Sequence, residues 1–153
     1  MSVKTPLIYV WLGKKIPSWT YKSLIFTAKK NKNRDLIFLT DFFHNKIDLE
    51  NLKIKNLEVY LIDGKKEFQI LSSKSLIKND FWIRCSLRFE IIKEFINKKN
   101  INKFFHAELD NILFDFTSLE NIFDKIGNGI FAPRDAIDRA IASFIYCNNN
   151  CRC

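Results

Sequence analysis

The segment LIYVWLG, residues 7–13, is an apolar run rich in aromatic and β-branched residues that ends at a glycine. This pattern is typical of a buried β-strand. Outward from it, strand-like and helix-like segments alternate along almost the whole chain. The other predicted strands are residues 35–41, 57–63, 103–114 and 129–135, and the predicted helices are residues 18–31, 81–100, 118–125 and 135–147.

This order of elements predicts an α/β domain whose mostly parallel sheet is covered by helices on both faces. Residues 48–56 and 64–79 are predicted as polar connections with a short helix in each. We expect one domain over residues 1–147, followed by an unassigned cysteine-containing tail at residues 148–153. Sheets of this kind bind ligands beyond the carboxyl ends of their strands, so polar residues at those ends are the candidates for function.

The chain is basic but does not have the composition of a nucleic-acid-binding protein. Its 153 residues carry a net charge of +8, and 47% of them are hydrophobic, which is typical of a globular domain. The lysines are scattered and accompany many Ile, Asn and Phe residues, as in a gene with A/T-biased codons. We therefore consider a nucleic-acid partner unlikely, while another anionic partner stays open. No apolar run approaches the roughly 20 residues of a membrane helix, and no signal-peptide cleavage site is evident.

Three of the four cysteines lie within the last seven residues, as C-x3-C-x-C. No second cluster completes a zinc site, so a structural metal there is not favoured. We expect Cys147, Cys151 and Cys153 to form an exposed, reduced thiol tail, whose role the sequence does not indicate.

The segment HAELDN, residues 106–111, places two carboxylates in an otherwise apolar predicted strand. On a regular strand Glu108 and Asp110 would point to the same face and repel each other unless a cation neutralised them. A hard divalent cation that also carries phosphate oxygens meets this need. In the alternative interpretation the strand ends at Ala107 and both acids are solvated in a turn. The spacing alone leaves both open.

Two further residues lie late in predicted strands. Asp41 could accept hydrogen bonds from a ribose or a base, although such residues often only form turns or cap helices. Trp11 could stack on a planar base, although a tryptophan in an apolar run more often packs in the core.

Arg84 and Arg88 lie one helical turn apart on the helix that precedes the acidic segment, so both could face one cleft. Arginine suits bidentate phosphate binding, and the alternative is surface pairing with Asp80 or Glu90. No glycine-rich phosphate loop occurs, so neither a dinucleotide fingerprint nor P-loop chemistry is supported.

Together these segments resemble the GT-A glycosyltransferases of the DXD-containing, bacterial polysaccharide type. The opening IYVWLGKKIPSWTYKSL (residues 8–24) resembles their first strand and helix, and DFWIRCSLRFEIIKEF (residues 80–95) their D-x-x-R helix. HAELDNILFDF (residues 106–116) looks like a variant of their DXD strand, and residues 129–146 resemble the strand and helix that follow. The resemblance covers nearly the whole chain in the family's order.

The resemblance implies transfer of a sugar from a nucleotide diphospho-sugar, a UDP-sugar first of all, to a glycan acceptor. Asp110 would be the principal ligand of Mn²⁺ or Mg²⁺, and Glu108 would reach the ribose, the sugar or the metal. The other donor-binding residues that it implies are Trp11 at the base, Asp41 near the uridine, and Asp80, Arg84 and Arg88 at the donor sugar or phosphates.

The sequence departs from the family in two respects. Glu108 stands where the family usually has aspartate, and the usual acceptor-binding half does not follow, so no catalytic base is identifiable. A donor-binding portion that needs a partner and a truncated, inactive member therefore stay open, as does a basic, non-catalytic module that binds RNA or another polyanion. We expect the chain in the cytoplasm or peripherally at the inner face of the membrane.

Overall fold

In the computed structural model the described residues are 4–63, 80–137 and 139–148, and the side chains of residues 80–82 fall outside that description. The connection predicted at residues 64–79 likewise lies outside the described residues. The helices are α1 (Ser18–Lys30), α2 (Phe43–Glu50), α3 (Asp80–Lys99) and α4 (Thr117–Ile126). The strands are β1 (Leu7–Trp11), β2 (Leu36–Thr40), β3 (Leu57–Leu61), β4 (Lys103–Ala107), β5 (Gly129–Phe131), β6 (Arg134–Ala136), β7 (Arg139–Ala140) and β8 (Phe144–Asn148).

The central sheet has six strands in the order β3-β2-β1-β4-β8-β5. The first four of these are parallel, and β8 lies antiparallel between β4 and β5. The predicted α/β fold with a mostly parallel sheet is therefore confirmed. The order 3-2-1-4 of the parallel strands is that of Rossmann-like folds, in which the strand order reverses between β1 and β4.

Side chains alternate along the strands and build a core on each face of the sheet. On one face Leu7 and Phe38 pack with Leu24 of α1 and with residues of α2 and α4. On the other face Ile8 and its neighbours pack against α3, which contributes Leu87. A strand covered on both faces can be apolar throughout, which explains the continuous apolar run of β1.

The prediction of a helix at residues 135–147 is wrong. The segment forms a hairpin of β6 and β7, followed by β8, and Asp135 lies in β6 rather than at a helix cap. Strand β8, FIYCN, pairs on both sides, with β4 and with β5, and this tertiary pairing decides its conformation. Cys147 is buried within β8, which corrects the expectation that its thiol is exposed. Cys151 and Cys153 lie outside the described residues.

A buried ion pair joins three distant segments of the chain. Arg34, just before β2, is fully buried, and its Nη2 lies 2.6 Å from Oε2 of Glu120 on α4. Its other terminal nitrogen donates to the carbonyl of Thr5, and the Thr5 N–H donates to Glu120 Oε1 at 3.1 Å. The guanidinium also lies over the rings of Phe105 and Phe116, at 5.2 and 4.2 Å from their centroids. Both charges are thus neutralised and hydrogen-bonded, as burial requires.

We expect Glu120→Ala to lower the free energy of unfolding by about 3–5 kcal/mol, because it leaves the Arg34 charge buried without its counter-ion. Urea denaturation would measure the change. Lys46→Ala is a suitable control, since its pair with Glu50 at 3.6 Å is largely exposed and should contribute less than about 1 kcal/mol. Equal losses in the two variants would contradict the structural role of the buried pair.

The same pair predicts acid sensitivity. Burial alone disfavours the charged carboxylate, but hydrogen bonds from Thr5 and Arg34 outweigh it and hold the pKa of Glu120 below its ordinary value. Its stabilising contribution is therefore complete above the unfolded-state pKa and is lost as the pH falls through the folded-state pKa. In urea unfolding below about pH 4.5, the wild type should lose more stability than Glu120→Ala; parallel curves would refute this.

Candidate functional site

A cavity of about 420 Å³ opens at the carboxyl ends of β1 and β4, between the start of α1 and the first half of α3. This is the position at which the strand order reverses and at which α/β sheets bind ligands. Five of the seven predicted site residues line it: Trp11, Arg84, Arg88, Glu108 and Asp110.

The two acids do not share a strand face as a regular strand would require. Strand β4 ends at Ala107, and Glu108 and Asp110 lie in the turn that follows, on either side of the buried Leu109. The prediction of a strand through residue 114 is therefore wrong. The alternative is right that the strand ends at Ala107 and that both acids lie in a turn. Glu108 is not fully solvated, however, since its side chain is one-third exposed and paired with Arg88. Both acids line the cavity.

The turn that carries the acids is held by the segment before β8. The carbonyl of Ser143 accepts hydrogen bonds from the Glu108 N–H at 2.8 Å and from the Asn111 side-chain amide at 2.6 Å. The Asn111 N–H donates back to the Glu108 carbonyl at 3.1 Å, which closes the turn. Strand β8, which sequence analysis missed, therefore also fixes the backbone of the acidic turn.

The two predicted arginines reach the cavity from α3. Arg88 forms an ion pair with Glu108, not with Glu90, and its guanidinium lies over the Phe89 ring, 4.9 Å from the centroid. Arg84 lies one turn earlier, and its Nη1 is 3.4 Å from the Leu12 carbonyl. The cavity thus contains two guanidinium groups beside two carboxylates. Asp80 is the first residue of α3, and its side chain falls outside the described part of the chain.

An indole forms part of the cavity wall at the end of β1. Trp11 is half-buried, and its Nε1 has no hydrogen-bond partner among the described residues. That nitrogen lies 3.5 Å from the position that a Cβ on Gly13 would occupy, so the ring lies against the loop backbone. Trp19, at the start of α1, contributes a second indole that is 47% exposed. The two rings offer flat apolar surface to a ligand.

Asp41 is not among the residues that line the cavity. Its Oδ1 accepts a hydrogen bond from the Gly13 N–H at 3.1 Å, and the Asn45 amide donates to the Gly13 carbonyl at 2.9 Å. A third contact joins His44 Nε2 to the Lys14 carbonyl. Asp41 therefore positions the loop after β1, and the direct uridine contact expected of it stays a prediction.

Sequence analysis missed His106, which is buried and lines the cavity. Its Nδ1 donates to the Ile8 carbonyl at 2.9 Å, so Nε2 is an acceptor, and it has no partner among the described residues. Burial lowers the pKa of His106 to about 4, and the nearby Arg88 charge acts in the same direction, whereas the Ile8 bond raises it. The ring is therefore neutral near pH 7.

Trp19 and Cys85 are the other polar or aromatic cavity residues that the sequence reasoning did not select. All three missed residues lie next to sequence features that the analysis did use. Cys85 directly follows Arg84, Trp19 follows the Pro-Ser start of α1, and His106 opens the same segment that contains the acids.

The carboxylates suit a cation that brings part of its own coordination shell. Among the described residues no group of three or more His, Cys, Asp or Glu side chains could hold a metal ion. A divalent cation such as Mg²⁺ needs only one or two carboxylates when phosphate oxygens and water complete its shell. Asp110 is exposed and has no side-chain partner in the described part of the chain, whereas Glu108 is paired with Arg88. The donor set fits a cation bound together with a phosphate, with Asp110 the more available ligand.

Comparison with known proteins adds no relative: no protein-family model matches the chain, and no curated protein matches it significantly in sequence. Within the described residues no helix is long and apolar enough to cross a membrane.

The buried imidazole gives a testable pH dependence. Because the pKa of His106 is about 4 in the fold and about 6.5 when unfolded, the unfolded chain binds the extra proton between these values. Stability should then fall as the pH is lowered from 6.5 towards 4, by up to about 1.4 kcal/mol per pH unit. Urea unfolding and imidazole NMR would measure this in wild type and in His44→Gln, which leaves His106 as the only histidine. A His106 signal that titrates near pH 6.5 would contradict the assignment.

Proposed function

We propose that this chain binds a nucleotide diphospho-sugar together with Mn²⁺ or Mg²⁺ and is a GT-A-type glycosyltransferase, or the donor-binding portion of one, acting on a glycan acceptor. One observation carries the proposal. The cavity at the reversal of strand order brings together two arginines, two carboxylates and two indoles from segments far apart in the sequence. The resemblance of those segments to GT-A enzymes gives this arrangement its interpretation.

The charges of the cavity match those of a cation–diphosphate pair. Arg84 and Arg88 can each donate two hydrogen bonds to phosphate oxygens, which is the geometry that favours arginine over lysine. Asp110, which lines the same cavity, would supply an oxygen ligand for the cation. A diphosphate without a cation would face the two carboxylates, and a cation without a diphosphate would face the two arginines. The site therefore suits the two together better than either alone.

The size and surface of the cavity also suit a nucleotide. Its volume of about 420 Å³ lies within the range of small-molecule sites, about 300–1,000 Å³. Its charged groups are the two arginines and the two carboxylates, and the rest of the wall includes the indoles of Trp11 and Trp19. A planar base can stack on such rings, while the diphosphate extends towards the arginines.

The chemistry expected of these residues is stabilisation of the leaving group. As the bond between sugar and diphosphate breaks, negative charge grows on the diphosphate, and the guanidinium groups of Arg84 and Arg88 are placed to receive it. A cation held at Asp110 would supply Lewis-acid stabilisation of the same oxygens.

Calorimetric titration of UDP tests the proposal. With Mn²⁺ present we expect saturable binding to the wild type, and at least about tenfold weaker binding to Asp110→Asn or in EDTA, because the cation loses its protein ligand. Asp48→Asn is the matched control, since it removes an exposed carboxylate on α2, away from the cavity. It should bind UDP as the wild type does.

Two outcomes would overturn the proposal. A folded chain that gives no heat with UDP, GDP or the other nucleoside diphosphates would exclude a donor site. Salt-sensitive binding of RNA that needs no metal and survives Asp110→Asn would favour a polyanion-binding module instead.

A further inference from the structure

We infer that Arg88 and Glu108 form an exchangeable ion pair that makes the binding of a divalent cation and of a diphosphate mutually dependent. The inference rests on the proposed function, because it concerns the same donor site. Without ligands the two side chains neutralise each other. With both ligands present, Arg88 turns to the diphosphate and Glu108 to the cation. In this scheme each side chain positions the other in the free protein and binds a ligand in the loaded one.

The pair has the placement that such an exchange requires. Arg88 comes from α3 and Glu108 from the turn after β4, so the pair spans the cavity between two separate elements. The side chains are 15% and 33% exposed, which leaves them partly desolvated and still reachable from the cavity. Among the described residues each is the other's only side-chain hydrogen-bond partner. Removing one therefore leaves the other charge unpaired.

A free charge at this depth is unfavourable, and this links the two ligands. A cation that takes Glu108 alone leaves the Arg88 guanidinium unpaired beside a second positive charge. A diphosphate that takes Arg88 alone leaves the Glu108 carboxylate unpaired beside further negative charge. When both bind, each side chain exchanges one opposite charge for another, and nothing is left unpaired. Such a linkage is reciprocal, so each ligand raises the affinity for the other by the same factor.

The surroundings of Arg88 support the exchange. Its Nε is buried and has no hydrogen-bond partner among the described residues, and the guanidinium lies over the Phe89 ring. Among the described residues Glu108 is the only carboxylate that forms an ion pair with Arg88. Arg88 is thus fixed by its pair with Glu108 and by one aromatic ring, which a new anion can compete with.

Charge-removing variants should therefore gain affinity for a single ligand. Without any nucleotide, Arg88→Gln should bind Mn²⁺ about three- to tenfold more tightly than the wild type, because Glu108 becomes available. In EDTA, Glu108→Gln should bind inorganic pyrophosphate more tightly by a similar factor, because Arg88 becomes available. Calorimetry and manganese EPR measure both affinities directly, without any turnover.

Each gain has a control within the same cavity. Arg84→Gln removes a positive charge without breaking the pair, and Asp110→Asn likewise removes a negative charge. The inference requires that Arg88→Gln exceeds Arg84→Gln in Mn²⁺ affinity and that Glu108→Gln exceeds Asp110→Asn in pyrophosphate affinity. It also requires that the factor by which Mn²⁺ tightens pyrophosphate binding falls in both pair variants and falls no further in the double variant.

The outcomes separate this inference from the proposed function. If wild-type UDP binding depends on Mn²⁺ and Asp110 but neither pair variant gains affinity over its control, the donor site stands and the exchange is overturned. If both gains appear with Mn²⁺ and pyrophosphate while no nucleoside diphosphate binds, the exchange stands and the nucleotide-sugar function is overturned.

Discussion

The buried contact between Arg34 and Glu120 is the constraint on which the rest of the structure depends. A fully buried guanidinium must find a counter-charge, and its partner lies 86 residues further along the chain. This fixes α4 against the amino-terminal ends of β1 and β2. Strand β4 is fixed independently beside β1, so the connection from β4 to α4 has both ends set. The acidic turn, residues 108–111, lies at the start of that connection, where β4 and the Ser143 carbonyl hold it.

The elements that the sequence predicted well are those whose pattern is local. Strands β1 and β2 are short apolar runs, β3 alternates, and α1 and α3 show helical spacing, so the local sequence suffices to identify them. Strand β8 was wrongly predicted as part of a helix. Its hydrogen bonding to β4 on one side and β5 on the other makes it a strand, and this pairing lies outside the local sequence. Tertiary pairing of this kind is invisible to a local pattern.

The contrast between local pattern and tertiary contact also applies to the candidate site. The rule that ligands bind beyond strand ends brought Trp11 and Asp110 into consideration, and helical spacing brought Arg88. All three line one cavity. Their roles as donor-site residues stay predictions. The rule does not predict which way a side chain at a strand end points. Asp41 also follows a strand, yet its carboxylate points back to the Gly13 backbone, and the buried His106 contacts the Ile8 carbonyl across the sheet.

The two arginine–glutamate pairs among the described residues differ in burial, and this separates a structural role from the proposed binding role. Arg34 is fully buried and has additional backbone and aromatic partners, so its pair with Glu120 is closed to solvent and has a structural role. Arg88 and Glu108 have the same chemistry but remain partly exposed at a cavity wall. Glutamate has one methylene more than aspartate, and this extends the reach of the Glu108 carboxylate from the turn to Arg88 on α3.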